Sequence, residues 1–261
     1  FSRSEISAHP LLTLIHQDPF SRRSFQKPRG YDGDAKVLDF IYGYADLKKF
    51  PLSKLGKEIH SYTINSPACK AVRARREIIA KTIDAQAKDM ENPRILSVAC
   101  GHLREAHISE AIQNNKIKEF VAMDYDKKSL EVVDEQFSQF NIKTVSGSVR
   151  ELLTKRFKDL GKFDLLYVSG LYDYLSQRVA IRLTMRLFEM LTSGGRILVS
   201  NFLPGVKDIG FMETFMDWRL IFRDEAQLNA IVADIPLDQI YDKRSFVEEN
   251  ENIAFLRVIK A

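Results

Sequence analysis

Short apolar segments alternate with amphipathic segments from residue 94 onward, and this pattern restricts the fold more than any other feature. Apolar runs of this length are typical of strands that are buried on both faces of a parallel sheet. The segments between them have the apolar spacing of helices. We therefore predict an α/β fold with strands at Arg94–Ala99, Glu119–Asp124, Lys143–Gly147, Phe163–Ser169, Arg196–Phe202, Asp238–Asp242 and Ile253–Ile259.

The residues before Pro93 have a different pattern, because helix-like segments are interrupted there by proline and glycine. Apolar side chains recur at helical spacing in Ala35–Lys48 and in Ser66–Met90. We predict a helical N-terminal cap at residues 1–92 and an α/β domain at residues 93–261.

The helix predicted at Ser66–Met90 carries three arginines, Arg73, Arg75 and Arg76. Such side chains can bind an anion or form a solvated helix face. We expect the solvated face, because arginine is rarely buried unless it has a partner.

The composition argues against several classes of protein. Hydrophobic residues make up 45% of the chain and charged residues 28%, which is ordinary for a globular protein. No apolar run is long enough for a membrane-spanning helix, and the start of the sequence lacks the pattern of a secretory signal. Cys69 and Cys100 have the spacing of neither a disulfide framework nor a metal site. We expect a soluble cytoplasmic protein without a metal, and the net charge of +4 gives little support for a nucleic-acid partner.

The segment Ile95–Gly101 ends a predicted strand at a glycine, and we predict a helix shortly after it at Glu105–Gln113. In open α/β sheets, ligands bind beyond the carboxyl ends of the strands, where a glycine lets the backbone approach the ligand closely. Gly101 is therefore the first candidate residue of a cofactor site. Because His102 follows it, the glycine pattern of a dinucleotide site is absent, which argues against a dehydrogenase.

Asp124 ends the second predicted strand, where a carboxylate can accept hydrogen bonds from both hydroxyls of a ribose. The alternative role of capping the next helix suits Asp126 better by its position. Beyond the third strand, Val149 is the candidate for contact with an adenine ring. Either the Ser148 side chain or a backbone amide is the candidate for the amino edge of that ring.

The fourth predicted strand is followed by Tyr172, Asp173 and Tyr174, which we expect at the mouth of the sheet where the reaction takes place. A helix stop and turn are predicted at 191–195, before the fifth strand. The predicted cofactor site also includes residues that flank these turns, namely Ala99, Cys100, Arg104, Tyr125, Ser169 and Gly170.

These motifs together resemble those of class I S-adenosylmethionine (SAM)-dependent methyltransferases. The resemblance covers residues 93–261 and rests on Val98–Gly101, Asp124, Gly147–Val149, Phe163–Leu166 and Gly194–Val199. It implies a Rossmann-like sheet of seven strands with the last strand antiparallel. It also implies SAM as cofactor and a small molecule as methyl acceptor.

A narrower resemblance extends into the N-terminal part. It relates the chain to bacterial enzymes that make 3-hydroxy fatty acid methyl ester signals, such as the ester of 3-hydroxypalmitic acid. The segments that carry it are Asp18–Phe20, Lys27–Asp34, Pro67–Arg76, Gly170–Leu175, Ser200–Phe202, Phe211–Glu213 and Met216–Arg219. This resemblance implies O-methylation of a fatty acid carboxylate to a methyl ester that acts as a quorum-sensing signal.

The segment Lys27–Asp34 combines glycines, acids, bases and an aromatic residue more densely than a plain linker does. We expect a loop that contributes to the site. Tyr31 is a candidate to cover a sulfonium or the substrate, and Arg29 is a candidate to bind an anionic substrate. Asp34 has the alternative role of capping the following helix.

The expected catalytic chemistry depends on the acceptor. A carboxylate acceptor needs no general base, but it needs a cationic or hydrogen-bonding clamp. The candidates for the clamp are Arg29, Arg104, Tyr172 and Asn201. A hydroxyl or amine acceptor is helped by a general base. The candidates for the base are His102, Asp173 and Tyr174, and His102 has the alternative role of a residue that only caps the backbone.

The aromatic segment Phe211–Ile221 suits either the wall of an acyl pocket or core packing. Trp218 and Arg219 also suit contact with a second subunit, so a homodimer stays open. A nucleic-acid or protein methyltransferase is the main rival function, although the Asn/Asp-Pro-Pro-Tyr signature is absent after the fourth strand. A cofactor-binding regulator without turnover is the other rival, and the presence of both Gly101 and Asp124 argues against it.

Overall fold

The computed structural model describes residues 3–154 and 156–261, which form two compact units. The first unit comprises the N-terminal segment up to Ala74 together with Gly205–Leu220. The second unit comprises Arg75–Pro204 and Ile221–Ala261. This division differs from the one predicted at residue 92, because helix α6 contains the junction and Gly205–Leu220 belongs with the N-terminal residues. A helix that continues through the junction has no break in its periodicity, so the sequence pattern does not mark the change. The role of residues 1–92 as a cap stays a prediction.

The first unit is helical. Asp18 and Asp34 begin two of its helices, because each side chain accepts hydrogen bonds from N–H groups of the first turn. Gly43, with φ of +79°, ends the helix that was predicted to continue to Lys48. The helices are α1 (Arg3–Ala8), α2 (Pro10–Ile15), α3 (Pro19–Gln26), α4 (Ala35–Tyr42), α5 (Lys54–Thr63), the start of α6 (Pro67–Asp89) and α11 (Ile209–Phe215).

The second unit contains a seven-stranded sheet with the order β3-β2-β1-β4-β5-β7-β6. Strand β7 is antiparallel to β5 and to β6, and the remaining neighbours are parallel. This arrangement confirms the predicted fold class, a Rossmann-like sheet whose last strand is antiparallel. The strands are β1 (Arg94–Val98), β2 (Glu119–Asp124), β3 (Ile142–Ser146), β4 (Phe163–Val168), β5 (Leu191–Phe202), β6 (Ile240–Val247) and β7 (Ile253–Lys260).

Helices cover this sheet, and one sheet face packs into a large apolar core. Leu96, Val121 and Leu166 of the central strands lie in this core with Leu183 and Leu187 of α10, all of them fully buried. The core explains why these strands are nearly continuous in apolar residues. The helices of this unit, besides most of α6, are α7 (Glu110–Gln113), α8 (Lys127–Phe137), α9 (Val149–Leu153), α10 (Gln177–Glu189) and α12 (Glu225–Asn229).

Two predicted elements are wrong in the α/β unit. The helix predicted at Glu105–Gln113 consists of a 3-10 turn and the short α7, because the Ser109 side chain accepts from Ile112 N–H and starts a new helix. The turn predicted at 191–195 is part of β5. Gly194 has φ of +74°, and the register of β4 with β5 shifts between Phe163 and Leu165, so this stretch is an irregular strand start.

Within the residues that the structure describes, no helix combines the length and apolar character needed to cross a membrane.

Candidate functional site

The turn after β1 has a strained backbone. Ala99, Gly101 and Leu103 have φ values of +56°, +55° and +51°. For a residue with a side chain this left-handed conformation costs about 1–2 kcal/mol, and it persists where the surrounding structure holds it. The N–H groups of Cys100 and Leu103 bond to the carbonyls of Met123 and Cys100, at 3.1 and 3.0 Å, so internal hydrogen bonds hold this conformation. The turn identified by Gly101 is therefore a fixed loop beyond the carboxyl end of β1, where ligands of open α/β sheets bind.

Asp124 connects this turn to the end of β2. Its Oδ2 accepts from Gly101 N–H at 2.8 Å, and its Oδ1 accepts from Asp126 N–H at 2.8 Å. Burial raises the pKa of the Asp124 carboxyl, although these two hydrogen bonds oppose the rise. Asp126 caps α8, as the sequence predicted, so Asp124 is not needed for that role. Because a carboxylate oxygen can accept more than one hydrogen bond, Asp124 can still accept from ribose hydroxyls.

The Ser148 side chain is committed to the start of α9. Its hydroxyl donates to Glu151 Oε2 at 3.0 Å and accepts from Glu151 N–H at 3.3 Å, which forms a capping box. The predicted readout of an adenine amino edge by this hydroxyl is therefore disfavoured, and a backbone amide is the better candidate. Val149 packs partly against the core, and the neighbouring Tyr125 on the β2 turn is 76% exposed.

Tyr172 does not lie at the mouth of the sheet, which corrects the sequence prediction. Its side chain is fully buried in the core, and its hydroxyl makes a hydrogen bond of 2.7 Å with Thr184 Oγ1. Burial also raises the pKa of the Tyr172 hydroxyl. Tyr172 is thus a core residue and neither clamp nor base. Tyr174, by contrast, is 36% exposed and stays a candidate.

Asn201 is also a structural residue, because it takes part in a buried cluster around Arg223. Its Oδ1 accepts from Arg223 Nη1 at 2.6 Å, and its Nδ2 donates to the carbonyls of Phe202 and Ile221. Arg223 Nη1 also donates to the carbonyl of Tyr172 at 2.7 Å. The cluster connects the segment after β4 with the end of β5. No sequence motif had indicated Arg223.

Asp173 is 2% exposed and lies between the segments that follow β4 and β5. Its Oδ1 accepts from Phe202 N–H at 2.7 Å, and its Oδ2 lies 3.8 Å from Nη1 of Arg75. Burial raises the pKa of this carboxyl to about 6, although the Arg75 guanidinium opposes the rise. The position at the carboxyl end of β4 agrees with the sequence prediction for Asp173, and its catalytic role stays a prediction.

Arg75 departs from the expectation of a solvated helix face, because it is 3% exposed. Its guanidinium lies against Gly170, where an added Cβ would be 3.2 Å from both Nη1 and Nη2. Gly170 also has φ of +79°, so the backbone conformation favours glycine there, and a Cβ would in addition be tight against the guanidinium. Arg73 on the same helix belongs to the first unit, where its Nη1 donates to the carbonyls of Ile41 and Ile64.

A second buried acid, Glu105, lies on the sheet face opposite the apolar core. Its Oε1 accepts from the Tyr167 hydroxyl at 2.5 Å, and burial raises its pKa against the opposing charges of Arg75 and Arg76. Ser97 and Ser200 have the same parity in the strand register as Tyr167, so polar side chains recur on this face. A Tyr and two Ser in otherwise apolar strands are the sequence signal that could have located this cluster.

Arg104 and His102 are both buried beside the β1 turn. Arg104 Nη1 donates to Gln136 Oε1 at 2.5 Å, and its Nη2 lies 3.4 Å from Nδ1 of His102. A role in holding the turn accounts for Arg104, so it is a weaker candidate for an acceptor clamp than the sequence indicated. His102 stays a candidate base by its place next to Gly101.

Neither cysteine thiol is a candidate nucleophile. Burial raises the pKa of the Cys100 thiol, and it raises that of Cys69 to about 12, so both are protonated at neutral pH. Ser169 lies half-buried between β4 and Gly170. In the described part of the chain, no group of His, Cys, Asp or Glu side chains has an arrangement that would hold a metal ion.

The loop at Lys27–Asp34 belongs to the first unit and is held by ion pairs. Lys27 Nζ lies 2.7 Å from Asp32 and 2.8 Å from Asp217, and Asp32 also accepts from Arg219 N–H at 3.2 Å. Asp34 caps α4, which confirms the alternative reading of that residue. The loop thus positions Arg29 and Tyr31, the latter 37% exposed, and their site roles stay predictions.

The segment Phe211–Ile221 contains most of the short α11, which ends at Phe215, and the rest of the segment is not helical. Met212, Met216 and Trp218 are buried within the structure, which supports core packing for these three side chains. A buried Trp218 does not suit the predicted contact with a second subunit. Phe211 and Phe215 are only partly buried, and their rings lie 5.5 Å apart.

No protein-family model matches the chain, and its sequence has no significant match among curated proteins. Solved structures nevertheless share its fold. A protein described as a possible exported protein from Bordetella parapertussis is 16% identical, with a TM-score of 0.68 over 100% of this chain and 99% of that one.

Two further solved structures resemble a smaller share of the chain. Magnesium protoporphyrin IX methyltransferase from Synechocystis PCC 6803, with bound S-adenosylhomocysteine (SAH), is 13% identical, with a TM-score of 0.55 over 74% of this chain and 87% of that one. The N-methyltransferase NodS from Bradyrhizobium japonicum WM9, also with SAH, is 12% identical, with a TM-score of 0.50 over 70% and 86%. At these identities the likeness establishes the fold alone, and that fold is one in which methyltransferases occur.

Proposed function

We propose that the chain is a SAM-dependent methyltransferase that acts on a small molecule. The observation that carries this proposal is the contact of Asp124 Oδ2 with Gly101 N–H, which joins a strained turn to a carboxylate at the ends of two neighbouring parallel strands. A glycine turn beside a carboxylate suits an adenosine-type ligand at the carboxyl edge of the sheet. Two of the solved structures with this fold have SAH bound.

The residues of this site have distinct roles in the proposal. Asp124 accepts from the ribose hydroxyls, Gly101 lets the backbone approach the ligand, and Val149 with Tyr125 lies beside the adenine ring. When bound, SAM supplies a methyl group on a positively charged sulfur. The protein then mainly has to hold the acceptor in line with that methyl group and to exclude water.

The finer proposal is O-methylation of a carboxylate, such as that of a 3-hydroxy fatty acid, to a methyl ester. Its support is the sequence resemblance in both parts of the chain. A carboxylate acceptor carries no proton to remove, so the reaction needs no base. A hydroxyl or amine acceptor is the alternative, and Asp173 then suits the role of base because its pKa of about 6 is near the working pH.

Calorimetric titration with SAM, SAH and NAD tests the methyltransferase proposal directly. We expect about micromolar binding of SAM and SAH and no heat from NAD. Asp124→Ala should weaken SAH binding at least about 10-fold, because a buried acceptor of charge-assisted hydrogen bonds is lost. Asp126→Ala is the matched control, since it removes the cap of α8 and the hydrogen bond from the Ser129 hydroxyl but leaves Asp124 in place. It should leave SAH affinity within about twofold. Absence of SAH binding by the unmodified protein would reject the proposal.

Transfer of a labelled methyl group to a panel of acceptors tests the finer proposal. The panel contains 3-hydroxy fatty acids, their methyl esters and small phenols or amines. Label in the fatty acids but not in the pre-formed esters indicates carboxylate methylation. Label in the esters indicates methylation of the hydroxyl group, and Asp173→Asn should then slow the reaction strongly.

A further inference from the structure

Arg75 is a buried guanidinium with a hydrogen-bond donor that has no partner in the described part of the chain. It is 3% exposed, and its Nε has no hydrogen-bond partner among the residues that the structure describes. The nearest carboxylate oxygen, Asp173 Oδ2, lies 3.8 Å from Nη1, beyond hydrogen-bonding distance. A buried charged group with unmade hydrogen bonds is costly, so its retention needs an explanation.

The position of Arg75 points to a ligand. Its guanidinium lies beside Gly170, shortly after the carboxyl end of β4, because a Cβ at that glycine would be 3.2 Å from Nη1 and Nη2. That edge of the sheet is where ligands of open α/β folds bind. Gly170 leaves the space that a Cβ would take from the guanidinium, so the glycine and the arginine form one feature.

The order of the strands indicates which part of a ligand Arg75 meets. Asp124 ends β2, Gly101 follows β1, and Gly170 follows β4, which are consecutive neighbours in the sheet. Neighbouring strands lie about 4.8 Å apart, so the end of β4 is about 10 Å from the end of β2. A ligand with its ribose at Asp124 that extends across β1 has its opposite end at β4. In SAM and SAH this opposite end is the amino acid, which carries the only carboxylate of the molecule.

We propose that Arg75 binds the α-carboxylate of the methionine moiety of SAM, with Asp173 holding the guanidinium in place. This inference rests on the proposed function. Arginine suits the task because its planar fork can donate two parallel hydrogen bonds to one carboxylate. Asp173 Oδ1 is occupied by Phe202 N–H, and Oδ2, at 3.8 Å from Nη1, is the oxygen that can pair with the guanidinium. An acceptor carboxylate is the other source of the same chemistry, and the experiment separates the two.

The test compares SAH with 5′-methylthioadenosine, which has the same adenosine and sulfur but no amino acid. Both are titrated calorimetrically into the full chain without acceptor. We expect Arg75→Gln to weaken SAH binding about 30-fold or more, since it removes one partner of a buried charge pair, and to change methylthioadenosine binding less than about threefold. Arg73→Gln, on the same helix, is the matched control and should leave the ratio of the two affinities unchanged.

The outcomes are distinct. Equal weakening of both ligands by Arg75→Gln would mean a structural role, and unchanged SAH affinity with a raised KM for the acceptor would mean that Arg75 binds the acceptor. Either result overturns the inference. Failure of the unmodified protein to bind either ligand would instead reject the proposed function.

A second measurement needs no variant. Decarboxylated SAM should bind the unmodified protein about 30-fold or more weakly than SAM does, because it cannot pair with the guanidinium. Equal affinities would contradict the inference even if Arg75→Gln did not fold.

Discussion

Replacement of Asp173 by Asn should remove a pH dependence of stability. Burial raises the pKa of Asp173 to about 6 in the folded protein, whereas an aspartate in an unfolded chain titrates near about 3.9. When the folded pKa is the higher one, the stabilisation is complete below the unfolded pKa and is lost as the pH rises through the folded pKa. The contribution of Asp173 to the free energy of unfolding should therefore decrease from pH 4 to pH 7.

The magnitude follows from the separation of the two pKa values, which is about two units. Each unit corresponds to about 1.4 kcal/mol, so the full effect is about 3 kcal/mol, of which about 1.3 kcal/mol falls between pH 5 and pH 7. Asn is neutral throughout, and its carbonyl oxygen can still accept from Phe202 N–H, which Asp173 does at 2.7 Å. The stability of Asp173→Asn relative to the unmodified protein should thus rise by about 1.3 kcal/mol from pH 5 to pH 7.

Urea unfolding at pH 5, 6 and 7, followed by far-ultraviolet circular dichroism, measures this difference. Thr184→Val is the control, because it removes the hydrogen bond of the buried Tyr172 hydroxyl without changing a group that titrates in this range. Its stability difference from the unmodified protein should be the same at each pH. A stability difference that does not change with pH, or a variant that becomes less stable relative to the unmodified protein from pH 5 to pH 7, would contradict the raised pKa of Asp173.

Three further substitutions test other parts of the structure. Asp18→Asn should destabilise the first unit by about 3 kcal/mol, because Asp18 is fully buried and accepts from His60 Nδ1 at 2.8 Å. Urea unfolding followed by the fluorescence of Trp218 measures the loss, and a value below about 1 kcal/mol would contradict this prediction. Ser148→Ala should cost about 1 kcal/mol of stability through the lost cap of α9 and leave SAH affinity unchanged, whereas a clear loss of affinity would restore the hydroxyl to the adenine site. Arg223→Met should cost about 3 kcal/mol, because it leaves Asn201 Oδ1 without its donor and removes the charged donors to the Tyr172 and Leu175 carbonyls. Thermal unfolding that matches the unmodified protein would show that the cluster is dispensable.

Some features of the site could be predicted from the sequence because they depend on local chemistry at strand ends. Gly101 and Asp124 each terminate an apolar run, and the carboxyl ends of parallel strands meet at one edge of a sheet. The caps by Asp34 and Asp126 were also predictable, since a capping side chain bonds to N–H groups two or three residues away. In these cases the partners are close in sequence, or their relation follows from the parallel sheet.

Other features could not be predicted, because their partners are distant in the chain. Tyr172 and Asp173 are adjacent in sequence, yet one hydroxyl enters the core beside Thr184 and the other side chain meets Phe202 and Arg75. Direction after the end of a strand depends on how the chain turns, which no periodicity describes. The strand start at Leu191 was missed for a similar reason, since Gly194 and its neighbour resemble a turn until a neighbouring strand pairs with them.

The apolar pattern predicted the α/β sheet and its seven strands, because burial on both faces requires continuous apolar runs. Gly101 marked the turn after β1, because a close backbone approach requires glycine. The burial of Arg75 beside Gly170 and the structural roles of Tyr172 and Asn201 depend instead on contacts between distant parts of the chain. A charged or polar side chain is stable either in water or beside partners that satisfy its charge and its hydrogen bonds. Whether it is solvated, paired or directed at a ligand depends on groups that folding brings to it from elsewhere in the chain.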